Sequence, residues 1–367
     1  MILDKYTYEI ALNKIPAVGP VIAKQLISYC GGAKEVFSQR KSKLLRIPHV
    51  GEKIANHILN AIPEKLAAAE ISFIQKNNIQ VLSYTDNKYP QRLLEYDDAP
   101  LLLFFKGNID LNHHRTIAII GTRKPTEYGK AQVQKLVKEL IPFEPIIVSG
   151  LAYGIDTAAH RAALQAKLQT IGILGHGLDR LYPAQNKRLA KEMISAGGLL
   201  TEFPSGTRPD AVNFPMRNRI IAALSDVIVV VESGQSGGSI ITAEIANNYH
   251  KDVFAFPGKI TDKVSMGCNK LIKQHKASLI ESAADIAYIM RWEQASESQI
   301  IQPKLFIELE ENEQMIYDFL KKESEVSFDH LHATTHFPIG QLSSILLSME
   351  FGGIVKSLPG KRYMLVT

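Results

Sequence analysis

Between residues 116 and 256 the chain alternates short, continuously apolar runs with longer segments of helical spacing. The runs fall at 116–120, 145–149, 170–174, 199–201, 226–231 and 253–256; helices are expected between them at 128–140, 155–166, 186–196, 217–224 and 240–249. A strand with one wet face alternates apolar and polar residues, whereas a strand that is apolar throughout must be covered on both faces. Such strands joined by helices specify a mainly parallel sheet with helices on each side, a Rossmann-like, doubly wound α/β architecture. Ligands of these sheets bind beyond the carboxyl ends of the strands. Here those ends read Gly121-Thr122-Arg123, Ser149-Gly150, Gly175-His176-Gly177, Glu202-Phe203-Pro204, Glu232-Ser233-Gly234 and Pro257-Gly258, so one edge collects glycine, hydroxyl groups and charge.

At 367 residues the chain exceeds a single core, and its flanks differ from its middle. Ile15-Pro16-Ala17-Val18-Gly19-Pro20-Val21-Ile22-Ala23 and Ile47-Pro48-His49-Val50-Gly51-Glu52-Lys53-Ile54-Ala55 share the pattern I-P-x-V-G-x-x-I-A. A glycine turn followed by helical spacing describes helices meeting at a tight hairpin. The pattern resembles the helix-hairpin-helix module, whose turn amides can grip a DNA phosphate; a compact bundle with tight turns is an equal reading. A polar stretch at 293–302 ends the periodic pattern. Beyond it, helices around 312–321, 328–333 and 339–349 and two strands about Pro359-Gly360 suggest a winged helix. Its third helix carries Gln341, Ser343, Ser344, Ser348 and Glu350 but no Arg or Lys, which favours a partner-binding or structural role over base reading. The expected domains are a helix-hairpin-helix or SAM-like helical domain at 1–63, the Rossmann-like domain at 64–291, a linker at 292–304 and the winged helix at 305–367.

The formal net charge of +5 permits a polyanionic partner. Cys30 and Cys268 lie far apart without a CxxC partner, against a disulfide framework or thiolate zinc site and in keeping with a reducing cytoplasm. The N-terminus lacks a basic stretch leading into an apolar run, and no segment reaches the roughly 18 apolar residues of a membrane span. Neither export nor a membrane partner is expected.

The stretch Ile147-Val148-Ser149-Gly150-Leu151-Ala152-Tyr153-Gly154-Ile155-Asp156-Thr157-Ala158-Ala159-His160 passes from strand through glycines into a helix, a setting for phosphate. Neither G-x-G-x-x-G nor G-x-x-x-x-G-K-[ST] is present, so no nucleotide cofactor is expected. Gly234-Gln235-Ser236-Gly237-Gly238 matches G-x-S-x-G, but Glu232 and Ser233 separate it from the strand. A serine hydrolase using Ser236, with Asp252 and His275 as partners, remains an alternative. The other reading of Ser236-Gly237-Gly238-Ser239 is an amide nest for phosphate. His330, His332 and His336 cannot share a helical face, so no metal site is expected. His160 follows Asp156 by one turn, as an acid–base pair or as a brace for the helix.

Asn213-Phe214-Pro215-Met216-Arg217-Asn218-Arg219 opens a helix with two guanidinium groups and a stacking face. The bland alternative is an ion-pair network with Glu202, Asp226 or Glu232. Several phosphate nests and arginines along one edge, Arg123 among them, suit an extended polyanion better than one small molecule.

From Tyr89-Pro90 to about Ala277 the chain resembles the DNA-processing protein A family, also called DprA or Smf. The resemblance rests on Gly121-Thr122-Arg123 with Tyr128-Gly129, Ser149 to Asp156 with His160, Gly177-Leu178-Asp179 with Tyr182-Pro183, and Phe214-Pro215-Met216-Arg217-Asn218-Arg219. Ser236-Gly237-Gly238-Ser239 with Thr242-Ala243 and Phe256-Pro257-Gly258 with Gly267 continue it in the same order. It implies a non-enzymatic homodimer that binds single-stranded DNA without sequence preference, displaces single-strand binding protein and loads the RecA recombinase in natural transformation. It also implies that Gly121, Thr122 and Arg123 form one wall of the DNA pocket and Phe214, Arg217, Asn218 and Arg219 the other. With the nests, the expected single-stranded DNA set adds Ser149, Gly150, Gly154, Gly237, Gly238 and Ser239, while Asp156 and His160 brace a helix. Before the F-P-x-R-N segment only Arg208 stands where the family has a basic residue. A phosphoribohydrolase of the lysine-decarboxylase-like group is a further alternative, its P-G-G-x-G-T-x-x-E loop distantly echoed from Gly237 to Glu244, and an adaptor acting through the winged helix is another.

Overall fold

The computed structural model describes residues 3–293, 309–322, 326–352, 354–358 and 362–365. The chain forms two compact units, Met1–Ser296 and Glu297–Thr367. The first is built on a nine-stranded sheet: β1 (Gln80–Ser83), β2 (Leu102–Gly107), β3 (Thr116–Ile120), β4 (Ile146–Ser149), β5 (Thr170–Ile173), β6 (Gly197–Thr201), β7 (Val227–Val230), β8 (Asp252–Ala255) and β9 (Ser278–Leu279). Across the sheet they run β1-β2-β6-β5-β4-β3-β7-β8-β9. From β6 to β9 every pairing is parallel, and β1 and β2 add an antiparallel margin.

The apolar runs are explained by what lies on each face. In β3, Ile117 and Ile119 join Val133, Val137 and Ile155 from the Glu127–Glu139 and Ile155–Gln165 helices, while Ala118 and Ile120 join Ile220 and Ala243 from the Asn213–Leu224 and Gly238–Asn248 helices. Both sets are buried, so neither face tolerates a polar residue. The chain steps from β3 outward through β4, β5 and β6, then returns to the other side of β3 as β7. This reversal opens a crevice at the carboxyl ends of β3 and β7.

All six expected strands are present. The three others escape sequence reading because β1 and β2 are antiparallel and lie outside the βα alternation, and β9 has only two residues. β6 begins at Gly197 rather than 199, because two glycines let it fit between its neighbours. A Cβ on Gly197 would lie 1.9 Å from the Thr170 carbonyl oxygen of β5, and one on Gly198 would lie 2.3 Å from the Phe105 ring of β2.

The two N-terminal repeats adopt the same conformation. Ala17 and His49 both take φ 64°, Gly19 and Gly51 are extended, and each glycine precedes a helix, Pro20–Cys30 and Glu52–Leu59 respectively. The matching amide bonds are Val18 to Ile15 at 3.2 Å and Val50 to Ile47 at 3.1 Å. The expected boundary after 63 falls at the start of the Pro63–Asn77 helix, whose Ala67 and Ile74 share one core with Ile10 and Leu12. That core also takes in Val81, Leu101 and Phe104, so packing does not divide the helical layer from the sheet. Buried Glu70 ties the same helix to the loop after β6 by accepting from the Ser205 amide and hydroxyl.

The second unit contains the Glu311–Lys322, Phe328–Thr335 and Ile339–Phe351 helices and a three-stranded antiparallel sheet, a winged helix. Its strands are β10 (Val326–Ser327), β11 (Val355–Leu358) and β12 (Arg362–Leu365), in the order β10-β12-β11. β10 was not expected. Gln341, Ser343, Ser344 and Ser348 are exposed, and Glu350 accepts from Ser357. The Pro359-Gly360 turn and linker residues 294–304 lie outside the described residues.

Gly197→Ala is expected to cost about 2 kcal/mol or more, because the Thr170 carbonyl belongs to a central strand and cannot yield as a flexible side chain does. Thermal or urea unfolding checks this; an unchanged midpoint would refute the packing account of β6.

Candidate functional site

The crevice between β3 and β7 holds a cavity of about 430 Å³. Gly121, Thr122 and Arg123 wall it from β3, Phe214, Arg217 and Asn218 from the Asn213–Leu224 helix, and Ser236 to Ser239 from the turn after β7. Its edges are held close by backbone: the Thr122 amide donates to the Glu232 carbonyl at 2.7 Å, and the Ile155 amide donates to the Thr122 carbonyl at 3.1 Å. Gly121 has no room for a side chain, since a Cβ would lie 2.6 Å from Ile155 and 2.8 Å from the Glu232 carbonyl.

Arg217 forms the floor. Its side chain fills the space above Gly150, where a Cβ would fall 1.6 Å from Nη1. Nη1 donates to the Ile173 carbonyl at 2.9 Å, while Nε is buried with no partner. Burial holds the Arg217 pKa down to about 10 against the favourable field of Asp156, and Arg123 lowers it further. Asp156, also buried in this wall, accepts from the Gly150 and Ala152 amides at 3.1 and 3.3 Å. Its pKa is raised by burial, an effect that Arg217 and the two amides oppose. The three carboxylates that offered an ion-pair network are committed elsewhere. Glu202 bonds Arg219, Asp226 takes a two-pronged bond from Arg92, and Glu232 accepts from the Thr126 amide and hydroxyl. Arg217 therefore carries a buried charge with no ion pair among the described residues, an arrangement that is costly unless an anion arrives.

Above this floor the exposed Arg123 guanidinium lies 5.6 Å from the centre of the Phe214 ring, and Tyr182 lies 6.1 Å from the same ring. Opposite, the Gly238–Asn248 helix starts at Gly237 without a side-chain cap, so its first amides are free to meet a negative group. Asn218 Nδ2 reaches the Gly238 carbonyl at 3.3 Å, and Ser239 and Ser233 hydroxyls are 2.8 Å apart.

The structure thus brings together Gly121, Thr122, Arg123, Phe214, Arg217, Asn218, Gly237, Gly238 and Ser239. Four expected residues lie elsewhere. Ser149 is buried and donates to the Ile119 carbonyl at 2.7 Å, serving the sheet. Gly150 lies behind Arg217 with its amide used by Asp156, so the turn that looked like a phosphate nest already holds an internal anion. Arg219 points to the other side of its helix, toward Glu202 and the Asp98 carbonyl. Gly154 lines the adjoining hollow rather than this one. Asp156 was expected to brace a helix or to form an acid–base pair with His160, yet it lies in the cavity wall; its place at the first turn after the glycines was the available signal. His160 does brace: it is fully buried, with Nδ1 2.7 Å from Thr170 Oγ1. The Thr170 proton goes to the Ile147 carbonyl at 2.8 Å, so Nδ1 carries the imidazole proton.

Ser236 shares the cavity with no histidine; Asp252 and His275 line a different hollow. Glu244, at the end of the loop echoing a phosphoribohydrolase, is exposed and paired with Lys276 at 3.5 Å. Among the described residues no group of three His, Cys, Asp or Glu side chains could hold a metal ion, and no helix is long and apolar enough to cross a membrane.

Residues 80–291 match the family model of DNA recombination-mediator protein A, more than half of the chain. The chain belongs to this family. Residues 303–361 match the DprA winged helix domain. Protein Smf of Synechocystis is 31% identical over 98% of both chains, and DNA processing protein DprA of Streptococcus pneumoniae is 46% identical over 56% of this chain and 72% of its own. The X-ray structure of the S. pneumoniae protein superposes with a TM-score of 0.64 at 35% identity, covering 78% of this chain and 98% of that one. DNA processing protein A of Helicobacter pylori, described for its single-stranded DNA binding mode, gives a TM-score of 0.54 at 30% identity over 59% of this chain and 97% of its own. The Rossmann-like core and winged helix are those of the DprA fold.

Burial and the Arg217 charge hold the His160 pKa down to about 3, so the folded protein keeps this imidazole neutral where the unfolded chain protonates it, near 6.5. The unfolded state then binds more protons, and stability falls as pH drops from about 6.5 toward 3. His160→Asn is expected to remove on the order of 4 kcal/mol of that pH dependence. Urea unfolding of parent and variant at stepped pH checks it; parallel curves would refute a buried neutral imidazole.

Proposed function

We propose that this chain binds single-stranded DNA without reading its sequence, with phosphates held by Arg217, Arg123 and the amides of Gly238 and Ser239, and a base against Phe214. The observation that carries the reading is Arg217, a buried guanidinium with an orphan Nε at the floor of an open cavity. A phosphate supplies the missing charge and acceptor atoms together. Phe214 favours a strand with free base faces over a duplex, whose bases are stacked away from side chains.

The family description as a recombination mediator supports the wider role: protection of a single strand, displacement of single-strand binding protein and loading of a RecA recombinase during natural transformation. On this reading the protein acts in the cytoplasm as a binding protein without a catalytic group of its own. A homodimer is favoured by exposed apolar residues on β9 and on the Ala283–Met290 helix that follows it, Leu279, Tyr288 and Ile289. The domain scheme, with a helical domain before the Rossmann-like one and a winged helix after a linker, belongs to the same proposal.

The test is anisotropy of a labelled single strand and a duplex of equal length, titrated with the full chain at several salt concentrations. Preference for the single strand is expected, with log K falling against log salt by roughly 0.7 per phosphate contact. Arg123→Ala should weaken binding to all sequences alike and reduce that slope by about 0.7. Absence of binding at low salt would overturn the proposal. Arg217→Met should also weaken DNA binding and lower the melting temperature of the free protein, since it leaves the buried Asp156 without the charge that offsets its burial. An unchanged or higher melting temperature would show that Asp156 does not depend on Arg217.

A further inference from the structure

A second hollow of about 720 Å³ adjoins the first, and Arg123 lines both. Its wall holds Lys124, Lys130, Tyr153, Arg161 and Gln185 and no carboxylate. Among the described residues Arg123, Lys124 and Arg161 make no ion pair; Lys130 pairs with Glu127 at 2.7 Å. Thr157 and Arg161 stand one turn apart on the same face of the Ile155–Gln165 helix, so the charge is carried on a rigid element. Tyr153 is 39% exposed, and its hydroxyl donates to Gln185, which fixes the ring as a wall. Beneath it, Asn186 Nδ2 holds the Leu151 carbonyl at 3.0 Å and the Thr157 hydroxyl at 2.9 Å, so the floor is tied down.

Between the two hollows runs a bare ridge. Gly154 takes φ 83°, and a Cβ there would lie 2.2 Å from the Thr122 carbonyl oxygen and 2.7 Å from the Arg123 backbone. No side chain from this position separates the hollows.

Resting on the single-strand reading above, we infer that the bound strand does not end at the first cavity but crosses Arg123 into this groove, where Arg161 and Lys124 neutralise phosphates and Tyr153 stacks on a further base. The kinds of element found in the first site recur here: a cation, an aromatic face and a backbone-lined passage. One strand then meets two stacking platforms, Phe214 and Tyr153, on either side of Arg123. Since any base presents a π-face, the groove lengthens the site without adding sequence preference.

The full chain is titrated with oligothymidylates of about 4 to about 16 nucleotides, comparing parent, Arg161→Ala, Tyr153→Ala and Phe214→Ala. Both replaced groove residues are exposed, and melting temperatures confirm intact folding. Parent affinity should rise with length and then level off. Arg161→Ala and Tyr153→Ala should match the parent on the shortest oligomer and fall about tenfold behind on the longest, while Phe214→Ala weakens all lengths. Arg161→Ala should also show a salt slope shallower by about 0.7 on the longest oligomer only, restored by Arg161→Lys. If the groove variants follow the parent at every length while Phe214→Ala is weak, the strand takes another path and the single-strand reading stands. If the parent binds no oligomer at low salt, both fall together.

Discussion

A buried guanidinium is the feature on which the ligand edge is organised. Arg217 leaves the Asn213–Leu224 helix and crosses to β5 because Gly150 vacates the space and the Ile173 carbonyl accepts from it. Asp156 answers part of its charge from beyond hydrogen-bonding range while holding the Gly150 and Ala152 amides, so the glycine turn and the cation share one counter-charge. His160 must stay neutral beside them, and its bond to Thr170 fixes the tautomer that leaves no second positive charge. Each of these groups takes its place from Arg217. A neutral residue there would leave Asp156 buried against an uncharged neighbour and remove the reason for a glycine at 150.

The sheet makes this cost bearable. Two covered faces supply apolar burial from β3 to β8, at roughly 25 cal/mol for each Å² withdrawn from water, and the strand reversal between β3 and β7 leaves a gap that no helix fills. Three nearby carboxylates are engaged away from the gap: Glu232 caps the Glu127–Glu139 helix through Thr126, Asp226 joins Arg92 to the start of β3, and Glu202 joins Arg219. Diverting these three carboxylates keeps Arg123 and Arg217 unneutralised.

Much of this was legible in the sequence, because strands buried on both faces leave an unbroken apolar record and strand ends leave glycines. β1 and β2 left neither signal: they pair antiparallel outside the alternation, and the apolar residues 101–105 could belong to any buried segment. The residues of the cavity were readable as types but not as directions. Arg217 and Arg219 stand two positions apart on one helix, and a 3.6-residue turn sends them to opposite sides, one to the cavity and one to Glu202. Gly150 read as a phosphate cradle because a glycine turn before a helix has the same spelling whether its amides meet a ligand or an aspartate six residues on.

The depth of the two arginines argues for a chain-like ligand over a compact one. Arg217 is only 4% exposed, where attraction to an anion is little screened, whereas Arg123 stands in solvent over the Phe214 ring. A small phosphate ester would need both cations to converge on one group, with closed walls to exclude water. The cavity instead opens past Arg123 onto a glycine ridge, so the outer cation borders a passage rather than a lid. On the proposed reading a polymer of regularly spaced charges would use that arrangement fully: one phosphate would reach the buried guanidinium and set the position of the strand, and its neighbours would meet exposed cations whose weaker, salt-screened contacts would let the strand be laid down and lifted off.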